Sequence, residues 1–582
     1  VILAFVAPGR PWQVLRFGPL SAAPAAGTVE FFEVGRSATV LVLQQGGKWR
    51  LRTNGLPEAG ILPPGHPPAN TRTSRWLTAL PLLARPEARS LLVIGLGGGV
   101  AVERLSPGLE RIDVVELEPQ VVAANREFSP LRALDPLADP RLRVVENDAR
   151  GALILSDVRY DMIVSQPSHP WTAGASHLYT REFFALTRER LSPDGALLQW
   201  IGPAFVDEEL LQILVATLRD VFEHVVVHQP HEAGGILLLA SAAPLDPVAG
   251  APAALAVAPE VFAALGVYSP EDVAATQLLD DEGTERFAAG APINLDRRNH
   301  LQMRSPQLLR SGKGPLAPAP IVTEAGLAPE FGAELDPLLL ISRMLDQRFG
   351  TLAATRAAEL EDPVDRAVAS ALLHDRAGRR GKALSALRLA LEQRPDHALA
   401  RETMFRLRGP AAFGEKGLPV SAAGPLELAV RAALDQLEAP GFDAGAWAAL
   451  DAQLAQATPG TPFFLAATRL RGRWRLLDGS PEALREAIRL IDISHSRRGG
   501  APDLLLRARL GAALEDPVVV LSSLEGWLSA TMPARRKPSE FAAAKKLLAE
   551  LPDTGRWEPW RQYVTAGLVQ PRGRPASRPI AP

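Results

Sequence analysis

Four short stretches hold residues whose types and spacing could do chemistry. The first is GLGGG at 95–99, which follows an apolar run of Leu91, Leu92, Val93 and Ile94. Gly95, Gly97, Gly98 and Gly99 allow a tight turn and a close approach to a ligand that a Cβ would block. A helix starting after such a turn aims its first N–H groups at the same ligand. The second is Glu116, an acid about 20 residues downstream, where a carboxylate can accept from both hydroxyls of a ribose. It reads equally as a solvated acid at a strand end. The third is END at 146–148. Asp148 can accept from the exocyclic amine of adenine, cap the helix that follows, or do both. Glu118 and Glu146 read as surface acids. The fourth is SQPSHPW at 165–171, whose two prolines fix its path. Gln166 and His169 are its polar candidates, and Trp171 is a candidate wall. An imidazole titrates near neutrality, so His169 is a candidate general base; a loop histidine that only hydrogen-bonds is the plainer reading. Alone, the glycine stretch is ambiguous. GLGGG departs from the dinucleotide pattern GxGxxG, and such turns often only pack a helix on a strand.

These stretches need a scaffold that brings them to one edge. Strands are expected at 91–95, 111–116, 142–147, 160–165, 195–201, 224–229 and 235–240. Helices are expected between them at 99–105, 119–128, 148–155, 180–191 and 207–221. Such alternation implies a mostly parallel α/β sheet covered on both faces. In an open sheet of this kind ligands sit at the carboxyl ends of the strands, where all four stretches would converge. The last two strands, HVVVHQ and GGILLLAS, have only a short link between them, which implies an antiparallel pair. A Rossmann-like sheet ending in such a hairpin is the layout of class I S-adenosylmethionine-dependent transferases.

Ahead of this unit, VEFFEVG, ATVLVLQQ and KWRLRTNG cluster β-formers between GG and NG turns. They predict a small β-domain over 28–70, closed by the Pro/Gly-rich loop GLPEAGILPPGHPPAN. A helix at 74–84 leads into the Rossmann-like unit, 71–245. A Pro/Ala-rich linker and a small helical extension fill 246–312. From 313 to 565 the composition turns to Ala, Leu, Arg and Glu at helical spacing, an all-α region. Its AVASALLHDRAGRRGKALSALRLALEQRPDHALARETMFRL predicts a pair of amphipathic helices broken at Pro395. That pair resembles a tetratricopeptide-type unit without a clean period; an irregular helical domain is the equal alternative. The Pro/Arg-rich end, 566–582, is expected to be disordered.

VILAFVA at 1–7 is apolar but far short of the ~20 residues that span a bilayer. It reads as a buried strand or frayed end, or as the last part of a membrane-spanning helix with Arg10 and Trp12 at the interface. On the second reading 1–27 is a juxtamembrane stub, and the rest is membrane-associated on the cytoplasmic side; otherwise the chain is cytoplasmic. At 582 residues, 47% hydrophobic and 22% charged, the chain holds two or three globular domains. A net charge of −2 argues against nucleic acid or an anionic membrane surface as a partner. The absence of cysteine excludes disulfides, Cys-ligated zinc, iron–sulfur clusters and thiol catalysis. The sequence shows no metal-ligand cluster and no P-loop.

Read together, several segments resemble the spermidine synthase (polyamine aminopropyltransferase) family over about 28–310. They are LPLLARPEARSLLVIGLGGG, IDVVELEPQVVAANREF, DPRLRVVENDAR, YDMIVSQPSHPW, HLYTREFFALTRERLSPDGALLQW and APINLDRRNHLQMRSP. The likeness is to the bacterial proteins of this kind whose domain follows a membrane-spanning part and precedes extra helices. The resemblance implies aminopropyl transfer from decarboxylated S-adenosylmethionine to putrescine, with no metal. It implies that Glu116 binds the ribose, that Asp148 binds the adenine, and that Gly95, Gly97 and Gly99 cradle the donor.

The diamine-holding positions differ. The family's loop Asp falls on Gly98. Its Asp-Ser-Ser-Asp falls on Gln166, Pro167, Ser168 and His169, so Gln166 stands at the family's base position. Its Tyr-His-Glu falls on Thr73, Ser74 and Arg75. Alkyl amines, with pKa values near 10, arrive protonated and need an anion and a base. Gln166 can hydrogen-bond an amine but can neither pair its charge nor take its proton.

Three functions follow. One is a transferase binding S-adenosylmethionine or its decarboxylated form, nominally passing an aminopropyl group to a polyamine. The second is a methyltransferase on an unknown small-molecule acceptor. The third is a nucleoside-binding scaffold without turnover, its helical region meeting a protein partner. A homodimer is compatible with each.

Overall fold

The computed structural model describes residues 12–17, 24–66, 72–172, 174–231, 234–312, 314–331, 335–414, 417–438, 444–498, 500–530, 537–552 and 554–569. The expected stub at 1–7 lies outside these residues. Among the described residues no helix is long and apolar enough to cross a membrane. At the far end the helix Glu558–Val569 takes in the first residues of the stretch expected to be disordered, and 570–582 lie outside the described residues.

The core is an eight-stranded sheet. Its strands are β5 (Ser90–Ile94), β6 (Arg111–Glu116), β7 (Leu142–Glu146), β8 (Tyr160–Ser165), β9 (Leu191–Ile201), β10 (His224–His228), β11 (Ile236–Ser241) and β12 (Gln277–Leu279). Their order across the sheet is β12-β10-β11-β9-β8-β5-β6-β7. Strands β7, β6, β5, β8 and β9 run parallel; β11 pairs antiparallel with β9, and β10 with β11. Central strands of a parallel sheet are buried on both faces and must be apolar throughout. The runs Leu91–Ile94 of β5 and Met162–Val164 of β8 meet that condition, and Leu91, Val93, Ile163 and Val164 are fully buried; Asp161, near the start of β8, is half-buried and accepts from Arg89 N and Ser90 N. Chain order reverses at β5, which has β6 on one side and β8 on the other. In open α/β sheets that switch point is where a ligand crevice opens.

A second sheet, antiparallel in the order β1-β2-β3-β4, precedes the first: β1 (Thr28–Val34), β2 (Thr39–Gln45), β3 (Lys48–Thr53) and β4 (Leu56–Ile61). β4 lies inside the segment whose Pro and Gly predicted a loop. It is an edge strand, where Pro57 costs no ladder bond to a further neighbour, and its pairing with β3 shifts register between Leu51 and Arg52.

Four further expectations are corrected. The helix at 99–105 is only a single 3₁₀ turn, Val100–Val102, because Glu103 turns away to pair with Arg132 and Pro107 stops propagation. The Pro/Ala-rich linker contains the helix Pro247–Val257, capped by Asp246 with Pro247 in its first turn. The small helical extension also contributes a strand, β12, paired with β10. The expected helix pair around Pro395 is three helices, Pro363–Arg376, Arg380–Gln393 and Ala398–Arg408, since Gly378 at a φ of 73° ends the first.

The helical region does not hang free of the small sheet. Trp49 of β3 packs on Phe128 (ring centroids 5.5 Å apart) and on Trp557 (5.9 Å). A side chain at Gly47, in the β2–β3 turn, would run into the Trp560 indole. The Gly65 carbonyl, just after β4, accepts from Arg507 Nη2 at 2.6 Å and Ser522 Oγ at 2.9 Å. Lys48 lies 3.7 Å from Glu525, which also accepts from Trp560 Nε1 at 2.7 Å. The last helices thus cap the small sheet with aromatic rings around one buried acid.

Candidate functional site

At the carboxyl end of β5 the glycine loop turns through left-handed backbone at Gly95, Gly97 and Gly99, with φ of 89°, 53° and 75°. Only glycine takes that geometry without strain. The loop is held from behind by side chains: Asn125 Nδ2 donates to Gly97 O at 2.8 Å, and Arg132 Nη2 to Gly98 O at 2.8 Å. Arg132 is fully buried and salt-bridged to Glu103 at 2.5 Å.

Glu116 ends β6 beside this loop. Its Oε2 accepts from Leu96 N at 2.8 Å and its Oε1 from Glu118 N at 2.9 Å. Burial pushes its carboxyl up from the ordinary range; the backbone N–H donors oppose that shift, and the charge of Glu58 adds to it. The Gly97 N–H is a further backbone donor to the same carboxylate. The glycine loop and Glu116 are therefore one hydrogen-bonded unit rather than two neighbouring motifs.

Asp148 is exposed and accepts from Gly151 N at 2.9 Å, capping the helix Ala149–Ile154. Its link to the rest runs through the backbone, where Asn147 N donates to Glu116 O at 3.1 Å. Glu146 is exposed, as expected. Glu118 is the exception among the expected surface acids. It is buried and accepts from Ser37 N and Ala38 N, each at 2.8 Å, and from Ser37 Oγ at 2.9 Å. A carboxylate answered by several N–H groups is held below its ordinary pKa range, though burial pulls the other way. Glu118 ties the β1–β2 turn of the small sheet to the large one.

The loop after β8 completes the edge. Gln166 does not face an open substrate space: its Nε2 donates to Gly95 O at 2.6 Å, so it pins the glycine loop. His169 is buried, 7% exposed, and packs against Trp171 (4.9 Å) and Phe205 (5.1 Å). Trp171 meets Phe205 edge-on at 5.3 Å, and Trp200 lies 6.2 Å from Phe205.

The residue that sequence reasoning missed is Glu58. It projects from β4, and its Oε1 accepts from Ser168 Oγ at 2.7 Å and Thr53 Oγ1 at 2.5 Å, and lies 3.6 Å from His169 Nδ1. Its charge also contributes, after burial, to holding the Tyr179 phenol well above its ordinary pKa; that phenol donates to Ser168 O at 3.3 Å. The family's carboxylates are absent from the loop after β8, yet a carboxylate stands beside that loop, delivered by the small sheet. The only sequence signal for it was an acid just after the last expected β segment of the small domain, in a stretch read as a loop. The same strand closes on Gly98, where a Cβ would lie 3.0 Å from Gly60 O. Among the described residues no group of three His, Asp or Glu side chains is placed to hold a metal ion.

Counting β5 as the first strand, the parallel strands and final hairpin read 3-2-1-4-5-7-6, the order of class I S-adenosylmethionine-dependent transferases. Residues 71–237 match the spermine/spermidine synthase domain family. Polyamine aminopropyltransferase 2 of Streptomyces coelicolor is 33% identical over 144 residues, 24% of this chain and 26% of the relative. Polyamine aminopropyltransferase of Serratia proteamaculans is 29% identical over 169 residues, 28% of this chain and 58% of the relative. The chain spans between 24% and 60% of the lengths of the curated relatives compared with it. Among solved structures, a spermidine synthase in complex with the transition state analogue AdoDATO aligns over 45% of this chain and 88% of its own, at 16% identity and a TM-score of 0.38. Human methyltransferase-like protein 13 in complex with SAH aligns over 33% and 92%, at 20% identity and a TM-score of 0.26. The likeness to the spermine/spermidine synthase domain family is thus carried by residues 71–237.

Proposed function

We propose that this chain is a transferase that takes an alkyl group from an adenosyl sulfonium donor, decarboxylated S-adenosylmethionine or S-adenosylmethionine itself, and passes it to the nitrogen of a small amine. The observation that carries this reading is Glu116, a buried carboxylate fused by hydrogen bonds to a glycine loop at the switch point of the sheet. Its carboxylate suits a ribose diol, and Asp148, on the exposed lip two residues beyond β7, suits the adenine amine. The family match over 71–237 supports the aminopropyl form.

In the transfer, the amine nitrogen bonds to the carbon beside the sulfonium. That C–S bond breaks, and sulfur keeps the electron pair as a neutral thioether. The amine must first lose its proton. Glu58 is the carboxylate that pairs the ammonium, and His169, 3.6 Å from it, is the base that takes the proton. Gln166 positions the glycine loop and takes no proton.

Calorimetric titration with S-adenosylmethionine, decarboxylated S-adenosylmethionine and methylthioadenosine tests the reading. Preference for the decarboxylated donor supports aminopropyl transfer. Preference for S-adenosylmethionine moves the function to methyl transfer. Binding of none of the three overturns the proposal.

A further inference from the structure

The acceptor side has one anion and a wall of rings. Glu58 is the carboxylate at the Ser168–His169 turn. Beyond it come His169, Trp171, Phe205 and Trp200, each within 6.2 Å of the next. Trp171, Phe205 and Trp200 are half-buried. A diamine would need a second anion at its far end, and among the described residues the neighbouring acids are engaged elsewhere. Asp207, two residues after Phe205, caps the helix Glu208–Arg219 through Leu210 N and accepts from Arg304 Nη2 at 3.0 Å. Glu209 pairs with the same arginine at 2.7 Å. The first turn of the helix Arg72–Ala84, whose Thr73 lies against Gly235 beside Trp200, carries no acid. It carries Arg75, whose charge is paired with Glu103 at 3.5 Å and whose pKa is pushed down by burial. A second ammonium there would meet the Arg75 guanidinium and, among the described residues, no carboxylate free to pair it.

We propose that the acceptor is a primary amine with a single positive charge on an aromatic body, its ammonium at Glu58 and Ser168 and its ring against Trp171 and Phe205. This rests on the transfer reading above and narrows its substrate. One carboxylate answers one ammonium, and rings presented in edge-on and tilted arrangements give a flat aromatic body pair contacts that an alkyl chain does not make.

The test titrates the protein, saturated with methylthioadenosine, with 2-phenylethylamine and with putrescine. The expected result is phenylethylamine binding about tenfold or more tighter than putrescine, a ratio within reach of one aromatic contact. Trp171→Ala should bring that ratio close to one, and Phe205→Leu should lower it independently. Glu58→Gln should weaken both amines. Putrescine binding equal to or tighter than phenylethylamine overturns the proposal while leaving transfer intact. A wild-type ratio that survives both ring substitutions also overturns it. Failure of methylthioadenosine, S-adenosylmethionine and its decarboxylated form all to bind removes the transfer reading itself, a separate outcome visible before any amine is added.

Discussion

The nucleoside half and the acceptor half of the site are assembled in different ways. The first is local. Glu116 and the glycine loop come from β5, β6 and the turns that follow them, and the Glu116 carboxylate is answered by the backbone N–H groups of Leu96 and Glu118 in those turns. The acceptor half is gathered from afar. Ser168 and the Glu58 it donates to are 110 residues apart, and Phe205 arrives from beyond β9. A locally built half can change little without losing its own geometry. A half gathered across two sheets can keep a carboxylate while the element that supplies it changes, which is how Gln166 and Glu58 coexist here.

Replacing Glu116 by Ala should separate the halves most sharply. It removes two acceptors for charge-assisted hydrogen bonds at about 1.5 kcal/mol each, so nucleoside affinity should fall on the order of 100-fold in calorimetry. The circular dichroism spectrum should stay native. Glu58→Gln should do the converse. Transfer to an amine should drop roughly tenfold to 100-fold while methylthioadenosine affinity stays within about twofold, measured on the same preparation. If nucleoside and amine binding fall together, the two halves are one and the comparison breaks.

Acidification gives a subtler separation. Only ionised Glu116 can accept from both ribose hydroxyls. Burial raises its pKa, so on lowering the pH it takes up its proton earlier than an ordinary glutamate. Nucleoside affinity should therefore decline with falling pH beginning above the usual carboxylate range. Because the charge of Glu58 adds to that rise, Glu58→Gln should move the decline to lower pH; an unmoved profile would uncouple them. The smallest effect is expected from Gln166→Asp, which restores the family's residue type. An Asp is one carbon shorter and cannot donate to Gly95 O, so the loop loosens. Nucleoside affinity should fall by about fivefold, the loss of about one hydrogen bond, with no gain in transfer to putrescine.

What could be read from the sequence follows the same division. β5, β6 and β8 carry the apolar runs Leu91–Ile94, Val114–Val115 and Met162–Val164 because both their faces are covered, and that pattern is visible without a structure. The final antiparallel pair was legible from its short link. The 3₁₀ turn after the glycine loop was not, since VAVERL has helical composition and only tertiary pull on Glu103 ends it. β4 was hidden for a physical reason: an edge strand tolerates Pro57 and Gly60, the residues that mark a loop elsewhere. Missing β4 meant missing Glu58, and the acceptor half then looked emptier of charge than it is. Glu118 misled in the opposite sense, because nothing local reveals that a turn 80 residues upstream will bury it.

The aromatic cap on the small sheet has a consequence in time. The Gly65 carbonyl waits 442 residues for Arg507 and 457 for Ser522. At about 5–20 residues per second of synthesis, that is roughly 20 to 90 s during which β3 and β4 exist without their cover. A nascent chain can complete the parallel sheet, and with it the nucleoside half, long before Trp557 and Trp560 leave the ribosome. The last helices therefore complete the cover over β3 last, after Glu118 and Phe128 have joined the small sheet to the large one.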